Sequence, residues 1–492
     1  MTGLTEQLEL IRMSFAFFIP ETILTSGMII LLVVGLIRKD ATTLLTILSI
    51  ATFLISLIVH VVYWSVYSSP QNIFSSMLRS DNFSAYLKIL IDIAGMLTVI
   101  MTWRHKKQQH LSEYYALVLT VGLGAHLLVM SINLVTVFIS LELISIASYA
   151  LTGFSFSKQG AEGSQKYFLF GSTASAVMLY GFTLMYGLTG TFDFSSTGFA
   201  DALINKQSSL FLLAGSMSLA GFLYKMAAAP LHPWAPDVYE AAPMPVVAFF
   251  SVVPKLAGVG VITRFSLALN LFGQSAFDWQ FILCLIAMLT LTVGNFSALW
   301  QKRPKRLMAY SSIAQSGFLL VGVAAFLPNG VSFMLFYASV YLLVNYLVFI
   351  YLQYFETFGF DAVDSFAGVG RSFIVPCSLL LVGLIGLTGL PPTAGFTAKL
   401  LVFSSTWESY QISGKPVLLW LLVFGLINTV VSLFYYLKIP FYAFVKNREN
   451  ELKGKVQTFE NFLGAGIVLL ILLLFFVPDL LMRWINKINF AL

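Results

Sequence analysis

Apolar residues come in runs of about 20 along this chain, separated by short polar loops, and that is the length a helix needs to cross a hydrocarbon core. The runs fall near residues 13–37, 42–64, 84–103, 114–131, 132–153, 165–188, 208–236, 245–270, 280–299, 307–327, 331–354, 373–406, 417–445 and 461–485, which predicts about 14 membrane spans. None alternates with the period of two that a transmembrane barrel strand requires. The pattern predicts an all-α polytopic membrane protein. The longest polar stretches, near 189–209, 355–372 and 446–460, are too short for a soluble domain. The first run follows Arg12, exceeds a signal-peptide core and has no small-residue cleavage site after it, so it reads as a retained span.

Two runs do not read as continuous helices. In the seventh, Pro230, Pro233 and Pro236 follow Lys225 at a spacing of three, and each proline removes a backbone donor. The twelfth would be roughly 50 Å long as one helix at 1.5 Å per residue, and it holds Gly386, Gly389, Pro391, Pro392 and Gly395 ahead of Lys399. Both runs must break. Broken backbone at membrane depth is tolerated where it lines a buried or watery cavity, and paired breaks point to a transport site between repeats. The breaks lie five spans apart, which predicts two five-helix repeats of opposite orientation. The organisation expected is 1–112 for helices 1–3, 113–272 for the first inverted repeat, 273–446 for the second and 447–492 for helix 14.

Composition excludes a water-soluble chain: 58% of the 492 residues are hydrophobic and 10% charged, against roughly 45–50% and about 25% in soluble domains. The net charge of +6 is scattered over short loops rather than gathered on one face, so nucleic acid is not an expected partner. The basic residues serve better as topology signals. Loops after odd-numbered spans hold 16 Lys and Arg against 7 on the opposite side, which puts both termini outside. Cys284 and Cys377 both lie in apolar runs, so neither a disulfide framework nor a cysteine metal site is expected.

Five basic residues remain inside spans: Lys88, Lys225, Lys255, Lys399 and Lys438. Each costs about 2.5–3.5 kcal/mol to insert at the bilayer centre, so such residues usually line a polar pathway. Lys88 has Asp92 one turn on, and a local pair is expected there. Lys438 sits near the inner end of its span, within snorkelling reach of the interface. Lys225, Lys255 and Lys399 have no acid three or four residues away, so their partners must come from other helices. Glu142 lies at similar depth, and a contact with Lys225 is expected. One carboxylate cannot neutralise three lysines, and a lysine whose charge depends on an approaching acid is a switchable proton relay. Pro254 adds a kink beside Lys255. The repeat mapping aligns Lys225 with Lys399 and Lys255 with Lys438. His232, after the first break, could pass protons or bind freed carbonyls; His126 and His60 read as structural.

The stretch from Tyr224 to Lys255, with Lys225-Met-Ala-Ala-Ala-Pro-Leu-His-Pro-Trp and Pro236-Asp-Val-Tyr-Glu240, closely resembles the antiporter-like membrane subunits of respiratory complex I, and among them the subunit N type. Lys305-Arg-Leu-Met-Ala-Tyr-Ser-Ser-Ile313, Gly389-Leu-Pro-Pro-Thr-Ala-Gly-Phe-Thr-Ala-Lys399 and Pro20-Glu21 are similar to the same group. The resemblance implies a membrane-arm subunit that moves protons while partner subunits oxidise NADH and reduce quinone. It implies Glu142 and Lys225 as the coupled pair, Lys255 as the central relay and Lys399 as the terminal lysine. Many relatives have histidine where Gln315 stands, which puts a relay role there in doubt. The expectation is no cofactor in this chain, with NADH, FMN, iron-sulfur clusters and quinone on partner subunits. Expected partners are other membrane-arm subunits, including antiporter-like neighbours, and the expected location is the bacterial inner membrane. The alternatives are a subunit of a multi-subunit sodium/proton antiporter, against which the Asp-Val-Tyr-Glu form stands, and a passive membrane scaffold.

Overall fold

Several helices start on proline or a side-chain cap, and those ending at Thr152, Thr189, Thr388 and Ser413 stop on glycine, which serves the unpaired amides and carbonyls at helix ends. The computed structural model describes residues 4–38, 41–66, 69–105, 110–205, 209–270, 277–447 and 458–488. In order the chain forms α1 (Leu4–Ala16), α2 (Ile19–Ile37), α3 (Thr42–Val66), a ribbon of β1 (Gln71–Ile73) and β2 (Leu78–Ser80), α4 (Asn82–His105), α5 (Leu111–Met130), α6 (Leu134–Thr152), α7 (Lys158–Thr189), α8 (Thr197–Asn205), α9 (Ser209–Lys225), α10 (Trp234–Ala241) and α11 (Met244–Asn270). Then follow α12 (Trp279–Leu299), α13 (Pro304–Ala324), α14 (Pro328–Glu356), α15 (Val369–Ser372), α16 (Ile374–Thr388), α17 (Ala394–Ser413), α18 (Pro416–Tyr436), α19 (Lys438–Phe444), α20 (Thr458–Phe476) and α21 (Asp479–Ile485). Asn133 and Ser157 cap α6 and α7 by accepting from the amides of Val135 and Gly160. Pro304, Pro328 and Pro416 open α13, α14 and α18.

Among the described residues, twelve helical stretches are long and apolar enough to cross a membrane. The shorter apolar helices α9 and α16 are the first halves of the two interrupted spans. The chain is thus an all-α polytopic membrane protein whose seventh and twelfth spans are broken. Two details differ from the sequence pattern. The first run is divided by a turn at Phe17 and Phe18, where Pro20 opens a new helix. The β1–β2 ribbon was not visible because three-residue strands are too short to show an alternation. Of the loop cations that set the topology, Lys39, Lys106, Lys107, Lys206, Arg448, Lys453 and Lys455 lie outside the described residues.

The chain divides into two compact units. The first comprises the described parts of 1–226, 241–279 and 488–492. Within it α2, α3, α4 and α5 pack together, α7 lies along α6 and α9, and α11 is packed against α4, α5 and α9. The membrane-crossing part of α11 is entirely buried, as a helix apolar all round should be. By contrast α7 exposes Phe168, Leu169 and Phe170. The second unit comprises the described parts of 227–240 and 280–487. Its centre is α14, buried along most of its length against α13, α16, α17 and α20.

Candidate functional site

The first break begins right after Lys225, the last residue of α9. A cation there is favoured by the partial negative charge of the helix C-terminus. Lys225 is 2% exposed, and its Nζ donates to Ser145 Oγ at 3.0 Å, with the Tyr167 ring centroid 5.6 Å away. Ser145 lies one turn beyond Glu142 on α6, so acid and lysine address the same region. They are not in direct contact. Glu142 accepts from Ser175 on α7, while Lys225 donates to Ser145, whose own hydroxyl donates to the Leu141 carbonyl. In place of the expected Glu142–Lys225 contact, each group has a separate hydroxyl partner. The reason is geometric: the chain leaves α9 at Lys225, which fixes the ammonium opposite Ser145. Lys255 is buried on α11, which continues as helix through Pro254. His232 is half-buried just ahead of α10, and its carbonyl accepts from the amide of Ala235.

In the second break α16 stops at Thr388, Gly389 turns the chain with φ +81°, and α17 starts at Ala394. Lys399, 4% exposed on α17, reaches back so that its Nζ donates to the Thr388 carbonyl at 2.8 Å and lies 4.2 Å from the Phe318 ring centroid. The lysine takes up a carbonyl that the broken helix leaves without its own donor. Gly389 is required twice over, because its φ is left-handed and a Cβ would come within 2.8 Å of Lys399 Cδ. Gly395 brings α17 onto α16 so closely that a Cβ there would overlap the Gly386 carbonyl.

Around Lys399 the polar groups are neutral. Gln315 donates to the Leu387 carbonyl (3.2 Å) and Tyr436 Oη (3.0 Å) and accepts from Tyr337. A cavity of about 10 Å³, lined by Gln315, Tyr337, Tyr341 and Lys399, has room for roughly one water. The Tyr-Ser-Ser and Asp-Val-Tyr-Glu motifs interlock beside it. Tyr239 Oη and Tyr341 Oη hydrogen-bond Ser312 (3.0 and 3.2 Å), and Arg306 bridges Asp237 (2.9 Å) and Glu240 (3.1 Å). Lys438 opens α19 and donates to the carbonyl of Leu299, the last residue of α12. It caps a neighbouring helix.

A third polar centre was missed in the sequence. Lys88 pairs with Glu21 of α2 at 2.7 Å, not with Asp92 as expected, because its side chain points to α2 while Asp92 faces α3 and α5. Asp92 instead accepts from Ser56 (2.8 Å) and lies 3.2 Å from His126 Nε2 and 3.9 Å from His60 Nε2. His126 Nδ1 is 3.4 Å from Glu21. His126 and His60 thus belong to an ionic cluster and are not isolated core histidines. The signal that could have found it was each acid inside an apolar run, counted alongside the lysines.

The family model described as "NADH:quinone oxidoreductase/Mrp antiporter, TM" matches residues 131–432. The chain is 35% identical over 487 residues to NADH-quinone oxidoreductase subunit N of Chlorobium chlorochromatii, covering 95% of this chain and 94% of the relative. It is 36% identical over 431 residues to NAD(P)H-quinone oxidoreductase subunit 2 of Synechocystis sp., covering 86% and 80%. Among solved structures, a chain of respiratory complex I from Thermus thermophilus with bound aureothin superposes with a TM-score of 0.80 at 27% identity, covering 96% of this chain and all of that one. A chain of the Mrp complex from Dietzia sp. gives 0.81 at 18% identity over 96% of each and shares the fold.

Proposed function

The chain belongs to the NADH:quinone oxidoreductase/Mrp antiporter membrane family, as a complex I subunit of the N type, and we propose that it moves protons through Glu142, Lys225, Lys255 and Lys399. It is a membrane subunit of an oxidoreductase complex, with membrane-arm partner subunits. The observation that carries the relay is the pairing of each helix break with a buried lysine, Lys225 at one and Lys399 at the other.

In this reading a change in a neighbouring subunit moves Glu142 toward or away from Lys225, which Ser145 holds. The lysine then takes up or releases a proton, which passes by way of Lys255 toward Lys399. His232 and Lys438 serve as secondary stations. Moving one charge against the field costs about 2.3 kcal/mol per 100 mV, so energy must come from the redox partners. NADH, FMN, iron-sulfur clusters and quinone belong on those partners, making this chain the translocating part of the enzyme. The 16 to 7 distribution of basic residues supports both termini outside, and relatives in Chlorobium and Synechocystis support a bacterial membrane.

The test is NADH-driven acidification of inverted membrane vesicles carrying Lys225→Ala. Pumping is expected to disappear while the complex still assembles and co-migrates with NADH oxidation on a native gel. Intact pumping overturns the relay assignment. Sodium-dependent proton flux from a preparation without NADH oxidation overturns it in favour of an antiporter.

A further inference from the structure

The cluster of Glu21, His60, Lys88, Asp92 and His126 lies wholly outside the relay, and the family model, starting at residue 131, contains none of its members. The residues come from four helices, α2, α3, α4 and α5, which pack together in one unit. Glu21, Asp92 and His126 have no exposed surface, and Lys88 and His60 have 2% each. We propose that this cluster is a second proton-binding site, holding one proton shared between His126 and Asp92.

Geometry comes first. Both ring nitrogens of His126 face carboxylate oxygens, Nδ1 toward Glu21 Oε1 at 3.4 Å and Nε2 toward Asp92 Oδ1 at 3.2 Å. A neutral imidazole has one N–H and one lone pair. In the neutral form a lone pair would therefore point at a carboxylate oxygen. An extra proton removes the conflict, either on the ring or on the carboxyl group of Asp92.

The charge count agrees. Lys88 cancels Glu21. With both histidines neutral, Asp92 leaves the cluster at −1, and an unbalanced charge in a dry interior is strongly destabilising. One proton brings the total to zero. On His126 it makes an ion pair with Asp92. When it transfers, the N–H bond at Nε2 breaks and an O–H bond forms at Oδ1, and the pair becomes neutral while the total is unchanged. The other charged groups on helices packed against α4 and α5 include Arg264 and Lys255 on α11 and Glu142 on α6. Arg264 is bound to Asp81 at 2.7 Å and Glu142 to Ser175.

A metal ion is the competing occupant, since Glu21, His60 and His126 offer donor atoms within 4.8 Å of one another. The Lys88 ammonium already occupies Glu21 Oε1. A divalent ion beside it would raise the total to +1.

The test uses the purified, assembled membrane complex with isotope-labelled histidine. At neutral pH its infrared spectrum is expected to carry an imidazolium band or a protonated-carboxyl band, according to which partner holds the proton, that is absent from the Asp92→Asn/His126→Gln double variant. His126→Gln leaves Asp92 either charged without its imidazolium partner or holding the proton alone, so the amount of assembled complex on a native gel is expected to fall several-fold. The double variant, neutral again, is expected to restore it, a non-additivity that a purely space-filling role would not produce. The proposal is overturned if the wild type has no band that the double variant loses, or if the double variant assembles no better than His126→Gln. A stoichiometric divalent metal in the wild type that is lost from the double variant overturns it in favour of a metal site. All these readouts are independent of pumping, so failure of the Lys225 relay would not decide them.

Discussion

The two breaks solve the same problem in opposite ways. At the first, the lysine ends the leading half-helix, and its ammonium meets a serine hydroxyl with a carboxylate one turn earlier on α6. At the second, the lysine sits on the trailing half-helix, 11 residues past the carbonyl it binds, and that carbonyl belongs to the leading half. One lysine is poised beside an acid; the other ties its own broken span together. On the relay proposed above, Lys225 is then the candidate switch, answering to Glu142, and Lys399 a conduit that also holds the fold.

The largest expected effect tests that division. Lys225→Met and Lys399→Met should each abolish NADH-driven pumping in vesicles, but they should differ in stability. Ser145 keeps its bond to the Leu141 carbonyl when Lys225 is removed. Thr388 loses its donor when Lys399 is removed, at about 1–3 kcal/mol for a buried unsatisfied group. Thermal unfolding of the purified complex should thus rank Lys399→Met below Lys225→Met, and equal stability would break the comparison.

Next comes Glu142→Gln. The amide can still accept from Ser175 but removes the charge, so pumping should fall several-fold with unfolding unchanged. Unaltered pumping would leave Lys225 without a switch. Gly389→Ala should follow, costing about 1–3 kcal/mol for the left-handed backbone, with pumping reduced because the new methyl displaces Lys399. The smallest effect is expected at the other break. Ala227 already has φ +55°, so Ala227→Gly should be neutral or stabilise by up to about 1 kcal/mol. Opposite signs for these two substitutions, measured as shifts in unfolding temperature, would sharpen the contrast between the breaks.

Much of this was legible in the sequence because it is local. Three prolines after Lys225, and glycines and prolines ahead of Lys399, stop a helix whatever surrounds them. Depth in a run is also local, and it singled out the lysines. Partner choice is not local. Lys88 and Asp92 sit at the right spacing for each other, yet helix packing gives Lys88 to Glu21, 67 positions earlier in the chain. The same holds for Ser145, an ordinary serine in sequence that turns out to hold Lys225. The His126 cluster was hidden for this reason: its members come from four helices, and nothing local links one to another.

The space beside Lys399 is small. At about 10 Å³, lined by Gln315, Tyr337, Tyr341, Lys399 and apolar neighbours, it has room for roughly one water. For the relay proposed above that is sufficient, since a proton hops along hydrogen bonds without carrying an oxygen with it, and the break can be both tightly packed and a stage of transfer.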